Sequence, residues 1–156
     1  MKLALVLVVV ALAVTVVPAA RASKEDEAKR VAVALVWANV HAQYGSVWAS
    51  LHPRYQRVTT RAFWESCKRK YAAKHARIEW LSVKTIDAYP DRVTLPLLGT
   101  IGVTAVTLSA EVKERYPYAS GTFIDTHLWV KVGSQWKGLW TTEQYRAYKA
   151  HRCPAI

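Results

Sequence analysis

The sequence has little of what marks the commoner chemistries. Glycine occurs six times in 156 residues, and nowhere as the glycine-rich loop that cradles phosphate. No serine stands in a Gly-x-Ser-x-Gly elbow, so the usual hydrolase nucleophile has no place here. There are two cysteines, Cys67 and Cys153, and five histidines, at 41, 52, 75, 127 and 151. None of these shows ligand spacing, so neither a metal site nor a cofactor is expected. Acidic side chains are also scarce, 11 against 22 Lys and Arg, for a net charge of +11. No repeat or low-complexity tract appears beyond the first stretch.

That first stretch is distinctive. Met1-Lys2 is a short positive start, residues 3–17 are dominated by apolar side chains, and Pro18 breaks the run ahead of Ala20-Arg21-Ala22. This order matches a secretory signal peptide cut after Ala22, the alternative being a retained anchor. The run is short for a membrane span, which needs about 20 apolar residues. The expected organisation is a signal peptide over 1–22, an α+β domain over 23–145 and a C-terminal tail over 146–156. The exported chain would be secreted, periplasmic or in the cell envelope. Disulfides persist there, and a pair of cysteines fits one bridge from Cys67 to Cys153.

Helical signals come first. Glu25, Asp26 and Glu27 suit a helix N-terminus. Val31, Leu35, Ala38 and Ala42 follow at helical spacing, widened by Val36, Trp37 and Val40, to an end near Tyr44-Gly45. Ser46 can cap a short second helix that Pro53 ends. Thr59 or Thr60 caps a third, to about His75, with Phe63, Cys67 and Tyr71 on one face and Lys68, Arg69, Lys70 and Lys74 on the solvated side. From Arg77 the pattern is extended. Residues 78–89 form a strand of mixed apolar phase, which suggests a bulge or two buried faces. Pro90-Asp91 reads as a turn, and residues 93–98, holding Pro96, as at best an edge strand. Thr104, Val106, Leu108, Ala110 and Val112 alternate with Thr107, Ser109, Glu111 and Lys113 as a half-buried strand does. Residues 116–121 read as a turn. Three helices ahead of four or five antiparallel strands define an α+β domain, its sheet curved over the helices.

Residues 121–140, GTFIDTHLWVKVGSQWKGLW, organise the sheet. Two β-rich runs flank Gly133-Ser134, a hairpin signal. A two-residue turn pairs Val132 with Gln135, Lys131 with Trp136, Trp129 with Gly138 and His127 with Trp140. One face then carries Phe123, Asp125, His127, Trp129, Trp136 and Trp140, and the other Ile124, Thr126, Leu128, Val130, Leu139 and Thr141. Both are largely apolar, so each is expected to be covered, either by helices from earlier in the chain or by a second subunit.

The aromatic early helix, Trp48-Ala-Ser-Leu-His-Pro53, Thr60-Arg-Ala-Phe63 ahead of Cys67, and the closing hairpin over 127–136 give the chain a resemblance to the nuclear-transport-factor-2-like superfamily, across roughly residues 28–142. It looks most like exported bacterial members of that superfamily. The resemblance implies a cone-shaped α+β fold with a pocket at its wide end. Superfamily members include isomerases, dehydratases, epoxide hydrolases and polyketide cyclases beside many binding modules, so fold does not name a reaction.

If the aromatic hairpin face lines the pocket, Asp125 and His127 stand at i and i+2 beside Trp129 and Trp140, and could act as acid and base. Tyr44, Trp48 and His52 would line the same mouth, and Tyr116 and Tyr118 lie in a nearby turn. The more ordinary arrangement turns the aliphatic face inward and uses the helical aromatics as packing. The weight falls there, because catalytic pairs are rarer than plain polar strand residues. Lys68, Arg69, Lys70, Lys74 and Arg77, with Arg54, Arg57 and Arg61 before them, form a basic cluster that could hold a polyanion. In an exported protein that would be an envelope polyanion rather than nucleic acid; otherwise the cluster is a solvated helix face. The expected function is an exported module binding a small apolar or aromatic ligand or a protein, dimeric through the outer sheet face. A small lyase, isomerase or hydrolase using Asp125 and His127 is one alternative, and a polyanion-binding surface protein the other.

Overall fold

The computed structural model describes residues 23–115 and 118–155, apart from the side chains of Arg115 and Tyr118. The signal peptide expected over 1–22, Tyr116 and the Tyr118 side chain lie outside the described residues. Among those described, no helix is long and apolar enough to cross a membrane.

Helix α1 spans Lys24–Val40. Ser23 caps it by accepting from the Asp26 N–H, and the acids at 25–27 sit at its positive end. Its buried residues are Ala28, Ala32 and Ala38, so the face that packs is shifted from the expected valine–leucine stripe toward small side chains. Small side chains let the helix lie close over the sheet. The helix stops at Val40, short of the expected end, and Ala42 takes a left-handed φ of 57°. Helix α2 then covers Tyr44–Ala49, with Ser46 inside it rather than capping it. Pro53 opens a one-turn helix, α3 (Pro53–Gln56), at a position where its missing N–H costs nothing. Helix α4 (Arg61–Lys74) is capped by Thr60, which accepts from the Phe63 N–H.

Four strands follow in a meander, β1 (Ile78–Leu95), β2 (Gly99–Arg115), β3 (Tyr118–Val132) and β4 (Gln135–Gly138), ordered β1-β2-β3-β4 and antiparallel throughout. Pro90-Asp91 is not a turn. Pro90 pairs with Thr104 inside one continuous β1, an edge strand, where proline is tolerated. The turn falls instead between Leu95 and Gly99, where Leu97 and Gly99 take φ of 67° and 70°. It is held against α3, since Arg54 donates to the Leu97 carbonyl at 2.6 Å and Tyr55 to that of Pro96 at 3.2 Å. The mixed phase of β1 is explained by two register shifts, which leave Leu81 and Ile86 as extra, exposed residues. Residues 119–121 belong to β3 rather than to a turn.

The hairpin has the expected register from Val132 opposite Gln135 to Trp129 opposite Gly138, where β4 ends, so the ladder stops before the expected pair of His127 with Trp140. Gly133 supplies the positive φ of 61°. Helix α5 (Thr142–Lys149) follows, closed by a Thr141–Gln144 capping box. The sequence reading did not foresee this helix. Cys67 and Cys153 are bonded, with Cα atoms 5.3 Å apart, so the chain after α5 is tied to α4.

Two apolar clusters result. One joins Tyr44, Leu51, Tyr55, Trp64, Cys67, Trp140 and Tyr148, with Trp140 stacked between Tyr55 and Tyr148 at 5.3 and 4.5 Å. The other joins Ala28 and Ala32 to Val106, Leu108 and Trp129. The segment between α2 and α3 is sewn onto β4, as the His52 N–H donates to the Gly138 carbonyl and the Gly138 N–H to that of Ser50.

Candidate functional site

The inner face of the sheet is decided by β2. Thr104, Val106, Leu108, Ala110 and Val112 are all buried. Their partners on β3 include Trp129, His127, Asp125 and Phe123, and directly opposed residues share a face. The aromatic face of the hairpin therefore turns toward the helices. Trp129 is 4% exposed, while Leu128 and Val130 on the other face are only half-buried; farther along β3, Phe123 and Ile124 are both exposed. The favoured arrangement, with the aliphatic face inward, is overturned. On the other face Val103 and Ala105 are buried as well, and beyond them that face turns polar, with Thr126 meeting Thr107 hydroxyl to hydroxyl at 3.0 Å. Inside, the Trp129 ring lies across Gly138, where a Cβ would sit 3.4 Å from it.

A cavity of about 590 Å³ lies between the inner face and the helices, within the roughly 300–1,000 Å³ usual for small-molecule sites. Leu35, Val36 and Asn39 of α1, Trp64, Lys68, Tyr71 and His75 of α4, and Ile78, Trp80, Leu108, Ala110, Phe123, Asp125, His127 and Trp129 of the sheet line it. Leu139, Trp140 and Tyr148 complete the wall. Helix α1 is pinned over the hairpin by Glu27, whose carboxylate receives Lys131 at 2.8 Å and the Trp136 indole N–H at 3.2 Å. The Lys131 hydrogen bond, more than the other groups nearby, holds Glu27 below its usual pKa. A second hollow, about 550 Å³, lies on α5 and the chain beyond it, around Arg146, Arg152 and Cys153. None of its lining side chains is buried.

Of the expected pocket residues, Asp125, His127, Trp129 and Trp140 line the cavity. Tyr44 and Trp48 do not. Tyr44 is buried in the helical cluster, and Trp48 packs on it, 5.4 Å from the Trp64 ring. Asp125 and His127 stand at the mouth, Oδ2 to Nε2 at 3.3 Å, with side chains 75% and 38% exposed. Burial lowers the imidazole's pKa; Asp125 opposes this and the Lys68 charge adds to it. The neutral imidazole is thereby favoured more than in a free histidine, with the Asp125 carboxylate beside it. The other Asp125 oxygen accepts from the Thr126 N–H at 2.8 Å.

The basic cluster divides. Lys68 turns inward to the cavity rather than to solvent, its ammonium 5.5 Å from the centre of the Trp64 ring. Arg69 pairs with Glu65 at 3.2 Å, and Arg61 with the same carboxylate at 2.6 Å. Lys70, Lys74 and Arg77 are exposed. The sequence reading also passed over Asn39, Trp80 and Tyr148 as cavity residues. For Lys68 a signal existed: it follows the buried Trp64 by four and Cys67 by one, so it borders the buried side of α4. Among the described residues no group of three His, Cys, Asp or Glu could hold a metal.

No family model, curated protein or solved structure matches the chain.

Proposed function

We propose that this protein is an exported module of the nuclear-transport-factor-2-like cone type that binds a small, mainly apolar or aromatic molecule between its sheet and helices. The observation that carries this reading is the cavity itself, about 590 Å³, with walls that are mainly aliphatic and aromatic. Helices ahead of an antiparallel meander, and the Cys67–Cys153 bond, support the fold type and the exported setting. The test is binding of Nile red, a neutral apolar dye, followed by its fluorescence. Ala110→Phe fills the cavity and is expected to abolish the signal while the protein still unfolds cooperatively. Equal dye binding by that variant would overturn the reading.

A second reading rests on one contact, the 3.3 Å approach of Asp125 to His127 at the cavity mouth. There a neutral imidazole oriented by a carboxylate could take a proton from a bound substrate. A turnover whose pH–rate profile survives both Asp125→Asn and His127→Ala eliminates it. Polyanion binding would use Lys70, Lys74 and Arg77. It requires retention on heparin that weakens with salt and with loss of these residues. A homodimer would cover the outer sheet face, and sedimentation should then give twice the mass of one chain.

A further inference from the structure

Lys68 is out of place for a structural lysine. It projects from the middle of α4 into the cavity rather than into water. Among the described residues no carboxylate lies within ion-pair distance of its ammonium, which sits 5.5 Å from the centre of the Trp64 ring. The single acidic side chain of the cavity wall, Asp125, is held at the mouth by His127 and the Thr126 N–H. A cation partly withdrawn from water without a counter-charge is costly. Nothing in the fold requires it, since the aliphatic stem alone would fill the same wall. Two further polar atoms of cavity residues, Asn39 Oδ1 and the indole Nε1 of the 96%-buried Trp129, also lack partners in the protein. Burial lowers the Lys68 pKa, the direction expected of an ammonium that the protein leaves uncompensated.

From these observations we infer that the cavity takes an amphipathic monoanion, an apolar body ending in a carboxylate, with Lys68 as the group that receives the anionic head. The inference rests on the cavity-binding reading and specifies the chemical class of its ligand. The walls receive the apolar body. Lys68 supplies a charge-assisted hydrogen bond to the head, while the Asp125 carboxylate is engaged at the mouth by His127 and the Thr126 N–H.

The test uses matched pairs that differ only in the head: dodecanoate against dodecanol, and 2-naphthoate against 2-naphthamide. Affinities are read by calorimetry on the wild-type protein, K68M and K68R. The expected result is a preference of roughly tenfold or more for each carboxylate in the wild type. It should be lost in K68M with dodecanol and naphthamide binding unchanged, and restored in K68R. Equal affinity for acid and neutral partner in the wild type, or a preference that survives in K68M, overturns the inference while leaving the cavity reading intact. If no member of either pair binds, both fall. K68M retains the stem and removes the charge, so a folding defect is not expected; thermal unfolding of each variant accompanies the titrations.

Discussion

Successive stretches of α4 meet opposite surroundings. On one, Trp64 and Cys67 are buried in a closed cluster of stacked aromatic rings and fastened by the disulfide. On the other, Lys68, Tyr71 and His75 border a space that protein does not fill. Closed packing gains dispersion contacts on every side of a ring, whereas a cavity wall forfeits those on its open side. The difference teaches that stability and binding are divided within one helix. One turn holds the fold together, and the residues next to it hold a space open.

The sharpest way to break this contrast is Trp64→Ala, which should cost about 3–5 kcal/mol in urea unfolding because an indole only 1% exposed is lost. Cys153→Ser should follow with a loss of up to about 4–5 kcal/mol, the chain-entropy figure for a loop this long. Thermal unfolding with and without reductant would show the same loss in the wild type. On the open side, Leu35→Ala should cost only about 1 kcal/mol, since that half-buried side chain already faces space. A cost near that of Trp64→Ala would mean the cavity is closed in solution. Asn39→Leu should be stabilising by about 1 kcal/mol, because it removes a buried acceptor without a partner.

The smallest effect concerns pH. The unfolded chain takes up a proton on His127 near 6.5, whereas the folded protein takes it up only at lower pH. The folded state therefore binds fewer protons in between, and stability falls as pH drops from about 6.5 toward the folded value, then levels. His127→Gln should flatten that part of the profile. An NMR titration of the His127 ring with its midpoint above 6.5 would contradict the assignment. His52, also lowered chiefly by burial, contributes the same sign and remains in the variant.

Much of the local structure was legible. The Gly133-Ser134 turn set the hairpin register because two residues admit one pairing. Thr60 and the acids after Ser23 marked helix starts, and the broken phase of 78–89 signalled the bulges at Leu81 and Ile86. Pro90 misled, because proline is compatible with a turn and with an edge strand alike, and nothing local tells them apart. Helix α5 was missed since Glu143, Gln144 and Arg146 give it an exposed face and only Tyr148 is buried. The basic cluster was read as one surface because charge suggests solvent, yet Lys68 shares the side of α4 that carries Trp64.

Taken alone, the sequence determined the α+β order, the single cysteine pairing available and the composition of each hairpin face, since each follows from spacing along the chain. Which face turned inward was left to the tertiary structure. Alternation yields two faces without ranking them, and the ranking came from the pairing of β3 with the buried residues of β2 and from the alanines of α1 that make room for Trp129. The same packing drew Lys68 and His127, 59 positions apart in the numbering, into one cavity, a proximity that no local pattern encodes.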